Sequence, residues 1–174
     1  LALGAYVLAS LPLAILFAVN HQFRHVFFNL SSHYRAKLVK PRTVHVGDSI
    51  TAGGGHWSFL LSSMPFDSIN LAGDGYTTRQ IAGQVRRALL YQPKVVVIMA
   101  GANDILGGDF REQEVVDGYI YIAKLFAGKP SQCLVTLPTK LRDPSQTETV
   151  ELLNGRLSDI LLEMGCLVVD LNPD

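Results

Sequence analysis

Five short apolar runs recur along the chain: Val44 to Val46, Phe66 to Leu71, Val95 to Ala100, Leu134 to Leu137 and Leu167 to Asp170. Each is bounded by turn-forming residues, the pattern of β-strands. Helix-length stretches alternate with them. His56 to Met64 is short. Thr77 to Tyr91 places Ile81, Val85, Ala88 and Leu89 on one face, and Glu112 to Phe126 does the same with Val115, Tyr119, Ile122 and Phe126. Thr147 to Met164 carries Val150, Leu153, Leu157, Ile160 and Leu161 at helical spacing. Five strands alternating with four helices predict an α/β domain over residues 41–174. The expected fold is a flavodoxin-like, three-layer, doubly wound parallel sheet with right-handed crossovers and helices on both faces.

The pattern ahead of Pro41 is different. Residues 1–19 contain no charge and include Leu1, Leu3, Val7, Leu8, Leu11, Leu13, Ile15, Leu16, Phe17 and Val19. About 20 apolar residues cross the hydrocarbon core as a helix, and Pro12 is tolerable in such a span. Residues 1–20 therefore predict a single-pass membrane anchor, with a signal peptide and a buried core helix as rivals. Residues 21–40 mix Phe23, Phe27, Phe28 and Tyr34 with Arg24, Arg35, Lys37 and Lys40, which suits a juxtamembrane linker at the headgroup level. Basic residues on that side argue for a cytoplasmic catalytic domain. Leu1 at the start and Asp174 just after a strand-like run suggest a piece of a longer protein.

Charge narrows the partners. The 174 residues hold 15 Lys and Arg and 15 Asp and Glu, but every acid lies at or after Asp48. The domain from Pro41 onward is thus mildly acidic, and nothing in it suggests a nucleic-acid partner. Cys133 and Cys166 fit neither a disulfide framework nor a zinc pattern, and read as small apolar residues at the starts of two buried strands.

Chemistry concentrates at three strand ends. Thr43-Val44-His45-Val46 stops at Gly47-Asp48-Ser49-Ile50 and runs into Gly53-Gly54-Gly55. The second and third strands end in Asn70-Leu71-Ala72-Gly73-Asp74-Gly75 and Gly101-Ala102-Asn103-Asp104. In a parallel α/β sheet, ligands bind outside the carboxyl ends of the strands, so three polar ends converge on one place. Ser49 is the candidate nucleophile. Asp48 and Asp104 read as turn-holding residues rather than acids, and the glycine run as a flexible loop. No phosphate-binding or dinucleotide motif is present, and Thr51 stands where an α/β-hydrolase elbow has its second glycine.

Gly47-Asp48-Ser49-Ile50, with Gly73 and Gly101-Ala102-Asn103-Asp104 in order after successive strands, resembles the SGNH hydrolases, also called GDSL-type esterases and lipases. The likeness runs from Pro41 to the end. It implies that Ser49 attacks an acyl carbonyl and that the oxyanion hole consists of the backbone N–H groups of Ser49 and Gly73 and the side-chain amide of Asn103. It implies neither metal nor cofactor. It also implies an Asp-x-x-His element after the fifth strand as orienting acid and general base, and none occurs by Asp174. His21, His25 and His33 would have to fold back from the linker, His45 reads as an interlayer strand residue, and His56 is nearer the serine. Leu106, Phe110 and Leu141, on loops after the third and fourth strands, hint at an acyl pocket, and Arg142 reads as a solvated loop residue. The expected activity is hydrolysis of carboxylic esters, with carbohydrate O-acetyl esters, lysophospholipids and simple acyl esters equally open. A catalytically silent domain that binds an acylated ligand or partner, and an acyltransferase with the same nucleophile, are the alternatives. Oligomeric state is not legible.

Overall fold

A computed structural model describes residues 34, 37, 38, 40–53, 68–140 and 146–172. The five strands β1 (Thr43–Val46), β2 (Ser68–Asn70), β3 (Val95–Met99), β4 (Gln132–Thr136) and β5 (Leu167–Val169) form one parallel sheet in the order β2-β1-β3-β4-β5. Two short helices, α1 (Ser49–Gly53) and α3 (Ala102–Leu106), leave the ends of β1 and β3. Three longer ones, α2 (Thr78–Leu89), α4 (Glu112–Lys124) and α5 (Thr147–Glu163), connect β2 to β3, β3 to β4 and β4 to β5.

Each strand after β2 lies further across the sheet in one direction, so right-handed crossovers put α2, α4 and α5 on the same face. The three pack side by side there, α2 against α4 and α4 against α5. Their stripes of Ile81, Val85 and Ala88, of Val115, Tyr119 and Ile122, and of Val150, Leu153, Leu157 and Leu161 bury Val44, Val46, Ile69, Val96, Ile98 and Val135 of the sheet. The opposite sheet face carries Thr43, His45, Val95, Val97 and Leu134, all half-buried, and Leu167 and Val169, both exposed. The expected helices on both faces are thus seen on one face. The fourth expected helix, His56 to Met64, lies outside the described residues. So do residues 1–20 and most of the linker. Among the described residues no helix is long and apolar enough to cross a membrane.

Helix ends follow from local chemistry. At the start of α2, Gln80 Oε1 accepts the Thr77 N–H at 2.9 Å and the Thr77 hydroxyl at 3.1 Å. Arg86 and Arg87 stand in its last turn, where cations offset the helix dipole. In α4 the acids Glu112 and Glu114 open the helix and Lys124 closes it, the favourable polarity.

The reading of the two cysteines needs correction. Cys133 on β4 and Cys166 just before β5 are buried as expected, but they are joined in a disulfide. The β4–β5 register pairs Leu134 with Leu167, which sets the two cysteines side by side one residue earlier. Spacing alone could not announce this, because 33 residues separate them and only the strand order makes them neighbours. Closing a loop of that length stabilises a domain by about 2–4 kcal/mol, chiefly by restricting the unfolded chain. Replacing both cysteines with alanine is therefore expected to lower the unfolding free energy by about 2–4 kcal/mol and the urea midpoint in proportion, and equal midpoints for the two proteins would refute the bridge.

Candidate active site

The β-sheet register brings the three polar ends to one edge. His45 pairs with Asn70 and Val46 with Ile98, so the segments after β2, β1 and β3 leave adjacent strands in parallel. Neighbouring strands lie about 4.8 Å apart, which confines the three exits to a width of roughly 10 Å.

Ser49 is exposed and opens α1 rather than sitting in an open turn. Its N–H belongs to the first turn, where backbone donors have no acceptor within the helix. Asp48, immediately before it, is 1% exposed, and its Oδ1 accepts the Ile50 N–H at 2.9 Å. Burial pushes its carboxyl up from the ordinary value, against the pull of the Ile50 and Thr51 N–H groups. The turn-holding role expected for Asp48 is what this geometry describes.

Gly73 lies against Gly47, donating its N–H to the Gly47 carbonyl at 3.0 Å. With Leu71 N–H to His45 O at 2.8 Å, this extends the β1–β2 ladder beyond both strands. The Tyr76 ring covers Gly73 so closely that a Cβ there would stand 2.9 Å from the ring, so a larger residue requires the ring to shift. Asn103, near the start of α3, donates from Nδ2 to the Tyr76 carbonyl at 3.0 Å. An amide nitrogen carries two N–H groups, and that bond uses one of them.

Asp104 holds a neighbouring element rather than its own turn. Its Oδ2 accepts both the backbone N–H and the hydroxyl of Thr78, each at 2.9 Å, fastening α3 to the start of α2. A carboxylate there also faces the positive end of the helix dipole. Asn70 ties the first two exits together: Nδ2 donates to Thr51 O at 2.7 Å while Oδ1 accepts the Ala72 N–H at 2.9 Å. Behind β3, the fully buried Tyr119 donates its hydroxyl to Ala100 O at 2.8 Å, and burial drives its phenol strongly upward.

Further along the edge, Pro138 O accepts from Asn154 Nδ2 at 2.9 Å and from Asn172 Nδ2 at 3.1 Å. Asn172 Oδ1 takes the Lys140 N–H at 2.6 Å, so the segments after β4 and β5 are tied to each other. A cleft of about 660 Å³ opens there, beside Leu137, Asn154, Val168 and Asp170.

Among the described residues none hydrogen-bonds the Ser49 hydroxyl as a base. His21, His25, His33, His56, Leu141, Arg142 and Asp174 lie outside them. Leu106 is exposed on α3, and Phe110 is partly buried against the core. His45 sits on β1 with its side chain on the half-buried sheet face, and burial lowers its pKa below the ordinary 6.5. The folded protein then binds fewer protons at His45 than the unfolded chain does. Stability from this residue is complete above about pH 6.5 and is lost as pH falls through the lowered folded value. A His45→Thr variant should accordingly lose less stability than the parent between about pH 7.5 and about pH 5, as read by urea midpoints. Identical losses would show that His45 does not titrate on unfolding.

Gln84 escaped the sequence reading, although a signal existed. It interrupts the apolar face of α2, one residue before Val85, and a polar side chain in such a stripe needs a buried partner. That partner is the Gly47 N–H, which donates to Gln84 Oε1 at 2.9 Å.

The family model described as the GDSL-like Lipase/Acylhydrolase family matches residues 45–174. A solved structure described as an acylhydrolase from Bacteroides fragilis is 26% identical, with 80% of this chain and 74% of that one covered and a TM-score of 0.64. A GDSL-like lipase from Bacteroides thetaiotaomicron is 24% identical over 75% of this chain and 68% of its own, at a TM-score of 0.61. A variant of an acetylxylan esterase from Geobacillus stearothermophilus shares the fold at 16% identity, covering 74% of each chain with a TM-score of 0.63. No curated protein sequence matches the chain.

Proposed function

The chain belongs to the GDSL-like lipase and acylhydrolase family, and from that membership we propose a serine esterase that cleaves carboxylic esters through an acyl-enzyme on Ser49. The observation that carries the reading is the exit of Ser49, Gly73 and Asn103 from three adjacent strands at one sheet edge. Ser49 Oγ attacks the ester carbonyl and gives its proton to a histidine, which the family likeness puts in a segment following β5. Negative charge gathers on the carbonyl oxygen within reach of the Ser49 N–H and the second N–H of Asn103. Gly73 contributes as a shared donor, because its N–H also serves Gly47 O. Collapse of the intermediate expels the alcohol, and water then releases the acid and restores the serine.

The finer architecture follows the same reading. The uncharged residues 1–20 tether the domain to a membrane, and a second helical layer covers the open sheet face. The Cys133–Cys166 bridge weighs for the oxidising side of that membrane, against the basic linker, since disulfides persist in oxidising compartments. The alternative is a catalytically silent domain that binds an acylated ligand.

The test is turnover by the full-length protein on an acetylated oligosaccharide, a lysophospholipid and a p-nitrophenyl ester, wild type against Ser49→Ala. Serine-dependent hydrolysis of any of them supports the esterase. Saturable binding without turnover supports the silent domain.

A further inference from the structure

Directly behind the nucleophile turn, three buried polar atoms are without partners: Asp48 Oδ2, Thr51 Oγ1 and Gln84 Nε2. Asp48 and Gln84 are among the most deeply buried polar side chains, at 1% and 2% exposure. The amide of Gln84 is oriented without ambiguity. The Gly47 N–H needs an acceptor, so the oxygen faces Gly47 and the nitrogen is the atom left over.

Two of the three residues meet at Gly47, Gln84 through its Oε1 and Thr51 through its hydroxyl. A Cβ at that position would run into Thr51 Oγ1 and stand 2.8 Å from Met99 O, so the Thr51 hydroxyl lies against the bare α-carbon. Asp48 follows next in the chain, its other oxygen already engaged with Ile50. The unmatched set is an amide donor, a carboxyl acceptor and a hydroxyl that does either. A water within reach of these atoms would accept from the amide and donate to the carboxyl, the kind of polar environment that a buried water requires.

We propose that Gln84 is a positioning residue for Ser49. Its amide holds the Gly47–Asp48 turn from behind, directly through the Gly47 N–H and indirectly through one buried water shared with Asp48 Oδ2 and Thr51 Oγ1. The role rests on the reading of Ser49 as nucleophile. Its physical sense is that α1 is only five residues long and cannot fix its own first residue. A polar clamp from α2, a helix packed into the core, supplies that rigidity. The clamp touches neither Ser49 Oγ nor substrate, so its loss should alter the orientation of the nucleophile and leave ground-state binding alone.

The experiment compares full-length wild type, Gln84→Met and Thr51→Val. Gln84→Met keeps the length of the side chain and removes both polar atoms. Thr51→Val keeps the shape and removes only the hydroxyl on the water side, so it serves if Gln84→Met fails to fold. Hydrolysis of a p-nitrophenyl ester is measured below both melting temperatures, alongside hydrogen–deuterium exchange of the peptide containing Gly47. Misplacement of a reacting group by an ångström costs about a hundredfold, so kcat should fall roughly 10- to 100-fold in Gln84→Met and about three- to tenfold in Thr51→Val. KM should stay within about twofold in both, since uniform binding is unchanged. Exchange at Gly47 should quicken in Gln84→Met. Faster exchange with unchanged kcat in both variants overturns the positioning role while leaving the esterase reading intact. A wild type without Ser49-dependent turnover overturns the esterase reading and the positioning role with it.

Discussion

Ser49→Ala in the full-length protein is expected to lower kcat for an activated ester by about 10⁴- to 10⁶-fold, with KM nearly unchanged. The size follows from the chemistry. Without the hydroxyl no acyl-enzyme forms, and hydrolysis falls back on direct attack by water beside whatever donors remain. Removing a nucleophile typically leaves only the residual acceleration of the oxyanion donors and of binding, some 10³- to 10⁴-fold over water. The exposure of Ser49 makes this a clean substitution, since a small exposed side chain in a first helical turn carries little of the fold. Its stability change should lie within about 0.5 kcal/mol. A loss of activity accompanied by unfolding would therefore contradict the account as much as full activity would.

The second large effect belongs to Asn103. Asn103→Ala should cost about 100- to 1,000-fold in kcat, the usual consequence of losing one oxyanion donor. Part of that loss is indirect, because Asn103 also donates to Tyr76 O and so holds the loop whose ring covers Gly73. Asn103→Asp removes both donations at once and adds a negative charge. The carboxylate matches the amide in shape, yet it cannot donate and repels the charge forming on the substrate oxygen. It should therefore be at least as inactive as Asn103→Ala. An Asn103→Asp protein retaining more than about a tenth of wild-type kcat would remove Asn103 from the oxyanion site.

The parallel sheet was legible because its strands are short β-branched runs ending in glycine and polar residues, and α2, α4 and α5 because Ile81, Val115, Leu153 and their partners recur at helical spacing. Observed element bounds differ from the periodic stretches mainly at the ends, as with Leu89 against Tyr91 in α2. The two short helices were not legible. Five residues from Ser49 or Ala102 are too few to display a period, and both begin in a cluster that reads equally well as a turn. Ile105 shows the cost of that ambiguity, since it follows a cluster that reads as a turn and is buried on a helix.

Partnerships across the fold were hidden for a different reason. Asp104 bonds Thr78, 26 residues away, and Gly47 bonds Gln84, 37 residues away, and neither distance has a local signature. The residue types at the strand ends could be read from the sequence, whereas the scaffold holding them could not. The disulfide belongs with these, since strand order rather than spacing makes Cys133 and Cys166 neighbours.

The most direct measurement is covalent labelling. The full-length protein is treated with a fluorophosphonate, its intact mass recorded and the modified peptide sequenced. A single adduct per chain is expected, on Ser49, and it should be absent from Ser49→Ala. An unlabelled wild type, or an adduct on another residue that persists in Ser49→Ala, would contradict the assignment of Ser49 as the nucleophile.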